Sequence, residues 1–275
     1  MKSMKKINLL LLAVVSLTIL RAGSCARIER PYPPPTASQV VSEVLARGQR
    51  VRSLRGETRV SHASEQGKVK GTVRLMAATG GKLRFDLASP FDTPMATLIT
   101  DGQSFSLVDA QKGSHYHGPA SPCNVGRMLQ LVLSADDVRT ILGGSTPVIS
   151  HDKGTISWDA RDGAEILTLQ GKGMTQTIRL DGNDRSWDLL ESEIKGPDGK
   201  ILLWLEASGW HKLGGLRMPR TLHIKQPRHG AELWVTYRKT EINLELPAAA
   251  FILQEAQGLP SQRVTCDTVI KEPAK

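Results

Sequence analysis

The chain has 275 residues, of which 40% are hydrophobic, 23% charged and only 4% aromatic, with 36 Lys+Arg against 27 Asp+Glu. That composition excludes a multi-pass membrane protein, a disordered tail and a disulfide-dense mini-protein. The formal charge of +9 is a weak argument for nucleic acid: Lys2, Lys5, Lys6 and Arg21 lie in a segment predicted to be removed, which leaves 32 basic residues against 27 acidic ones.

Residues 1–6 carry three lysines, and residues 7–20 are apolar apart from Asn8, Ser16 and Thr18. This is the pattern of an export signal. Fourteen helical residues reach about 21 Å, short of the roughly 30 Å hydrocarbon core, so a cleaved signal over residues 1–24 is the better reading than a membrane-spanning helix. The small residues Ala22-Gly23-Ser24 then precede Cys25 and resemble the lipobox of bacterial lipoproteins. The resemblance implies an acylated Cys25 as the first mature residue, anchored by several acyl chains. Ala26 stands where an inner-membrane retention signal would place Asp, which favours the periplasmic face of the outer membrane. The remaining charge is compatible with an anionic membrane surface. Pro31-Tyr32-Pro33-Pro34-Pro35 cannot continue a helix, and residues 25–35 are read as a lipidated terminus followed by a short, stiff polyproline stalk.

From Thr36 onward, Val40, Val41, Val44, Leu45, Val51 and Leu54 fall at helical spacing, with Thr36 or Ser38 as cap. The period then changes to two. Thr58 and Val60, then Val69, Val73 and Leu75, then Leu83, Phe85 and Leu87 alternate with charged residues, the signature of half-buried antiparallel strands. Turn signals such as Gly80-Gly81, Asp101-Gly102, Asp162-Gly163 and Pro197-Asp198-Gly199 separate the runs. Val125, Met128, Leu129, Val132 and Leu133, then Val138, Ile141 and Leu142, return to helical spacing and predict two inserted helices ending at Gly143-Gly144. Strands are predicted again over 155–159, 165–170, 176–180, 186–195, 200–207, 220–224, 231–237 and 241–246. Residues 36–275 therefore read as a single, mainly antiparallel β domain. A sheet this large must curl, and an incomplete, half-open barrel covered by the N-terminal helix and the two inserted helices satisfies that demand. An apolar interior of this kind suits lipid.

The stretch from KLRFDLASPFDTPMATLITDGQSFSLVDAQKG through HGPASPCNVGRMLQLVLSADDVRTILGG, together with INLELPAAAFILQEAQG near the end, resembles the LolB-like outer-membrane lipoprotein receptors and, more broadly, the LolA/LolB lipoprotein-carrier fold. The resemblance implies about eleven strands and transient binding of acyl chains or lipoproteins. It also implies receipt of that cargo from a soluble periplasmic carrier and insertion into the inner leaflet of the outer membrane. Phe91 stands in the loop where that family carries a protruding apolar residue acting on the membrane; burial of Phe91 under the sheet is the competing reading. Leu83, Phe85, Leu87, Leu98, Phe105, Met128, Leu129 and Leu131 are the candidates for the cavity or its plug. A structural or regulatory envelope lipoprotein, using the same fold as a protein-binding platform, is the alternative function.

Cys123 and Cys266 remain as an even pair in an oxidising compartment, either as one disulfide or as two buried thiols. His115-Tyr116-His117 has a spacing compatible with a metal site, but a solvated strand end explains it better. Asp181-Gly182-Asn183-Asp184 lacks the ligand series of a calcium loop and reads as a tight turn. No hydrolase, nucleotide or metalloprotease motif is present. No catalytic residue, cofactor, metal or nucleic-acid partner is expected, and the protein is read as a monomer and not as an enzyme. Arg47, Arg50, Arg52, Arg55 and Arg59 form a basic concentration that is either a solvated face or a contact for headgroups or an acidic partner.

Overall fold

The computed structural model describes residues 27–64, 67–127, 131–183, 185–252 and 258–267. The predicted signal, Cys25, Met128 and Leu129 lie outside the described residues. Helix α1 (Ala37–Arg50) begins at Thr36, whose hydroxyl accepts from the Gln39 amide while the Gln39 side chain accepts from the Thr36 amide. That reciprocal pair satisfies two of the donors a helix start leaves orphaned. Its Val40, Val41 and Val44 are buried.

Six strands follow: β1 (Ser53–Ser64), β2 (Gly67–Ala78), β3 (Lys82–Ala88), β4 (Pro94–Asp101), β5 (Ser104–Asp109) and β6 (Ser114–Pro119). Two helices interrupt them, α2 (Pro122–Val125) and α3 (Ala135–Leu142). The first is a single turn, shorter than the apolar spacing through Leu133 predicted. Leu131 donates its amide to the Gly126 carbonyl. Gly126 tolerates this because a Cβ there would collide with the Leu131 carbonyl.

The chain then runs through β7 (Lys153–Asp159), β8 (Ala164–Gly171), β9 (Met174–Asp181), β10 (Leu189–Lys195), β11 (Ile201–Ser208), the small hairpin β12 (His211–Leu213) and β13 (Leu216–Met218), β14 (Thr221–Gln226) and β15 (Ala231–Ile242), and ends with β16 (Ser261–Arg263). Fourteen of these form one sheet in the order β16-β6-β5-β4-β3-β2-β1-β15-β14-β11-β10-β9-β8-β7, against the eleven the family resemblance implied. Neighbours run antiparallel except β16, which lies parallel to β6. The two meanders are joined where β15 returns to β1, with Leu54 opposite Ile242 and a bulge between Glu57 and Thr58. The outer strands β7 and β16 do not pair, so the sheet stays open. It curls all the same: α1 touches β7 and β8, α3 touches β3 and α1, and one apolar core runs from Leu83 and Phe105 to Leu169 and Leu205.

Charge placement departs most from expectation. Arg47 belongs to no solvated face: it is buried, its guanidinium donating to the carbonyls of Ser186, Trp187 and Arg217 and to Asp188 Oδ1 at 2.6 Å. Asp188 is fully buried and takes Arg217 Nε on its other oxygen. Trp210 lies 4.5 Å from the Arg47 guanidinium carbon. Arg50 and Arg55 do face solvent, paired with Glu43 and Glu241.

Residues 27–35 do not stand free as a stalk. The Ile28 amide bonds to the Ala160 carbonyl, Trp158 Nε1 donates to the Ile28 carbonyl, and Arg30 makes a 2.8 Å ion pair with the buried Glu165. Tyr32 packs between Trp158 and Trp187, with Arg185 against its ring. Burial, aided by Glu165, raises the Tyr32 phenol well above its usual range, so it stays neutral. At the other end of the chain, Cys123 and Cys266 form a disulfide with Cα atoms 5.5 Å apart, tying α2 to the segment after β16. It closes a loop of separation 143, for which chain entropy gives a ceiling of about 5 kcal/mol.

Removing one partner of a buried ion pair costs about 3–5 kcal/mol because the other charge is left uncompensated. Asp188→Ala is therefore expected to lower the unfolding free energy by about that amount, measured by urea denaturation; a loss under about 1 kcal/mol would mean that water reaches the Arg47 and Arg217 guanidiniums.

Candidate functional site

The inward faces of the central strands meet the inserted segment around a cavity of about 40 Å³. Val73, Leu75 and Phe85 come from β2 and β3, Ile224, Leu233 and Val235 from β14 and β15. Leu131, Leu133, Val138, Ile141 and Leu142 close it from above. Thr58 is the polar exception, and its hydroxyl donates to the Val73 carbonyl at 3.2 Å. The cavity holds little more than one water by volume, far below the roughly 300–1,000 Å³ of a small-molecule site. Among the described residues this interior is nearly filled.

The segment that closes it is held in two ways. Leu131 and Leu133 are buried, each contributing about 1.5–3 kcal/mol. Between them Val132 is exposed, and its backbone is gripped by Gln226 at the end of β14: the Val132 amide donates to Oε1 at 2.6 Å, and Nε2 donates to the Val132 carbonyl at 3.1 Å. At about 0.5–1.5 kcal/mol each, these bonds add less than the leucines but fix the register of the cover. Farther along, Tyr237 donates its hydroxyl to the Leu142 carbonyl, the last of α3. Burial raises the Tyr237 phenol far above its ordinary value and keeps it a donor.

Of the residues proposed for the cavity, Phe85 and Leu131 line it. Leu83, Leu98 and Phe105 are buried in the surrounding core, and Leu87 packs against that core half-buried. Val73, Leu75, Leu233 and Val235 are lining residues that the alternating pattern contained but could not distinguish from other inward positions. Gln226 carried no signal at all, since a lone Gln at a strand end predicts nothing.

Phe91 is 91% exposed at the tip of the β3–β4 loop. The loop is rigidly built: Ser89 Oγ accepts from the amides of Phe91 and Thr93, the Ser89 amide bonds to the Thr93 carbonyl, and Asp92, at φ 62°, pairs with Arg74 at 2.7 Å. The strand registers place this loop and Gln226 at the same strand ends: Thr72 faces Ala88, Gly71 faces Val60, Val60 faces Val235, and Ala231 faces Gln226. Phe91 and the Gln226-held cover thus share one rim.

The histidine pair is not the solvated strand end that the sequence suggested, because β16 lies against β6. His115 is buried, within 2.9 Å of Ser106 and 3.0 Å of Ser261, and the His117 ring also reaches Ser261. Among the described residues no group of three His, Cys, Asp or Glu comes together to hold a metal. The Asp181 turn is closed by its own carboxylate, which accepts from Asn183.

Gln226→Ala should speed hydrogen exchange at the Val132 amide about tenfold, the equivalent of a 1.4 kcal/mol loss, while core amides stay unchanged. An unchanged Val132 rate would show that the leucines alone hold the cover.

No protein-family sequence model matches the chain, and no curated protein matches it by sequence. Solved structures do. A LolA superfamily protein from Nitrosomonas europaea superposes with a TM-score of 0.53 at 11% identity, covering 80% of this chain and 98% of that one. A DUF1329 family protein from Desulfovibrio piger gives 0.56 at 11% identity, with 82% and 100% covered. A putative outer membrane lipoprotein-sorting protein domain from Vibrio parahaemolyticus gives 0.53 at 13%, with 78% and 95% covered. At such identities the likeness is one of architecture, and on that ground the chain has the LolA-type fold, an open antiparallel sheet curled around the helices that fill it.

Proposed function

We propose that the chain is a lipoprotein of the outer membrane, anchored through Cys25 on the periplasmic face, that takes acyl chains or lipoproteins from a soluble carrier and passes them to the bilayer. The observation that carries this reading is the apolar interior covered by a separately held segment, on the same rim as the exposed Phe91. The fold shared with a putative lipoprotein-sorting domain supports it. In this reading the closed interior opens by withdrawing Leu131 and Leu133, the acyl chains take their place, and Phe91 brings the rim to the membrane. Inserting an exposed Phe contributes roughly 2–3 kcal/mol. The process is carriage and handover, driven by relative affinity, with no catalytic residue assigned.

The near-filled cavity favours a second reading, in which the curled sheet is packed solid and serves as a protein-binding platform. The two separate cleanly. A chain beginning at Ala26 keeps every described element and is to be offered fluorescent acyl probes and a lipidated peptide. Under the first reading it binds them, Phe85→Asp abolishes binding, and Phe91→Glu leaves binding intact while slowing transfer to phospholipid vesicles tenfold or more. Failure of the unaltered chain to take up any acyl probe would favour the platform. Equal loss of uptake and transfer in Phe91→Glu would contradict the division of labour.

A further inference from the structure

Three arginines converge on a second pocket that the acyl reading leaves unused. Arg47 and Arg50 from α1 and Arg217 from β13 line a space of about 140 Å³, together with Gly143, Gly215 and Leu216. At about 30 Å³ per water, this holds four or five waters, room for a small oxyanion and too little for an acyl chain or a drug-sized ligand.

Among the described residues its charges do not balance. Asp188 is the carboxylate bound to both Arg47 and Arg217, so two guanidiniums share one negative charge in a partly buried site. Arg50 adds a third, and its partner Glu43 is exposed, where water and salt compete for it. Arg47 is only 9% exposed, yet its Nε is buried without a hydrogen-bond partner among the described residues. Arg217 gives Nε to Asp188, and its terminal nitrogens enter no described hydrogen bond. Burial lowers the Arg47 guanidinium from its ordinary value; Asp188 counteracts this, and repulsion from Arg50 and Arg217 adds to it. An anion placed here would relieve that repulsion.

We propose that this pocket binds a phosphate group, either as the free anion or as the headgroup of a phospholipid. Planar guanidinium forks match phosphate oxygens in pairs, and such charge-assisted bonds are the strong ones. The site stands independently of the acyl cavity, because it shares no lining residue with it.

The test uses the chain from Ala26, titrated by calorimetry with inorganic phosphate and separately mixed with phosphatidylglycerol vesicles with and without excess phosphate. Saturable phosphate binding is expected, weakened about tenfold or more by Arg50→Gln and by Arg217→Gln. Arg50 is exposed, so its variant keeps the fold and carries the test even where Arg217→Gln unfolds. Vesicle binding that falls with Arg50→Gln and is displaced by phosphate assigns the ligand to a headgroup. Vesicle binding indifferent to both, with phosphate still bound, assigns the free anion. No saturable phosphate binding, or binding equal in Arg50→Gln and the unaltered chain, would overturn the proposal.

Discussion

The last turn of α1 ends against α3 and the end of β15, and its carbonyl groups are served by side chains from distant segments. Arg139 of α3, itself buried, donates to the carbonyls of Gly48 and Val51 at 2.9 and 2.7 Å. Asn243, just past β15, donates to Arg50, and Ser145 donates to Val44. A helix end needs such partners wherever burial excludes solvent. Here they come from three parts of the chain, so α1, α3 and the exit of β15 are fixed as one body. The Arg47–Asp188–Arg217 cluster extends that body to the β12–β13 hairpin. What remains outside it is the segment around Val132, which is why the cover can have its own, weaker attachment.

The sequence showed the parts whose energetics are local. Thr36 as a cap, the Val40–Val41–Val44 stripe and the glycine turns at positive φ, such as Gly80 and Gly81, are each decided by neighbours within a few residues. The alternating strands were legible for the same reason, and the antiparallel order followed from short connections. The fate of charge was not. Arg47 and Arg139 look like surface residues because burial of an arginine depends on acceptors that arrive from positions such as 188 or from the far end of another helix. The single-turn α2 was missed because Val132 and Leu133 continue the helical spacing of Val125, whereas the structure buries Leu131 and Leu133 and exposes Val132 between them, an alternation of period two. In the site, Phe91 was singled out by the family resemblance, and local sequence alone left open whether it is exposed or folded under the sheet; Gln226 acquires meaning only from the backbone it meets.

Two kinds of pocket therefore sit apart in the fold. One, against α3 and the segment before it, is lined by apolar side chains; the other, beside the last turn of α1, is positively charged. Hydrophobic burial is non-directional and tolerates a mobile occupant, whereas arginine forks demand a fixed geometry. Such a pairing suits recognition of an amphiphile, whose two halves ask for opposite environments.

The docked N-terminal segment also sets a length. Two residues separate Cys25 from Ile28, where the chain first grips the sheet beside Ala160, and the three Cα-to-Cα steps between them span at most about 10 Å. Ala160 lies in the turn joining β7 and β8, at the strand ends opposite those that carry Phe91. A lipid held at Cys25 would thus moor the domain by one rim on a short leash, leaving the other rim turned away. Letting go of Glu165 and the tryptophans around Tyr32 would lengthen the leash to Thr36, eleven residues or about 36–40 Å, enough for the molecule to swing round. The Arg30–Glu165 pair is then less a brace for the fold than the cleat on which a mooring line is shortened.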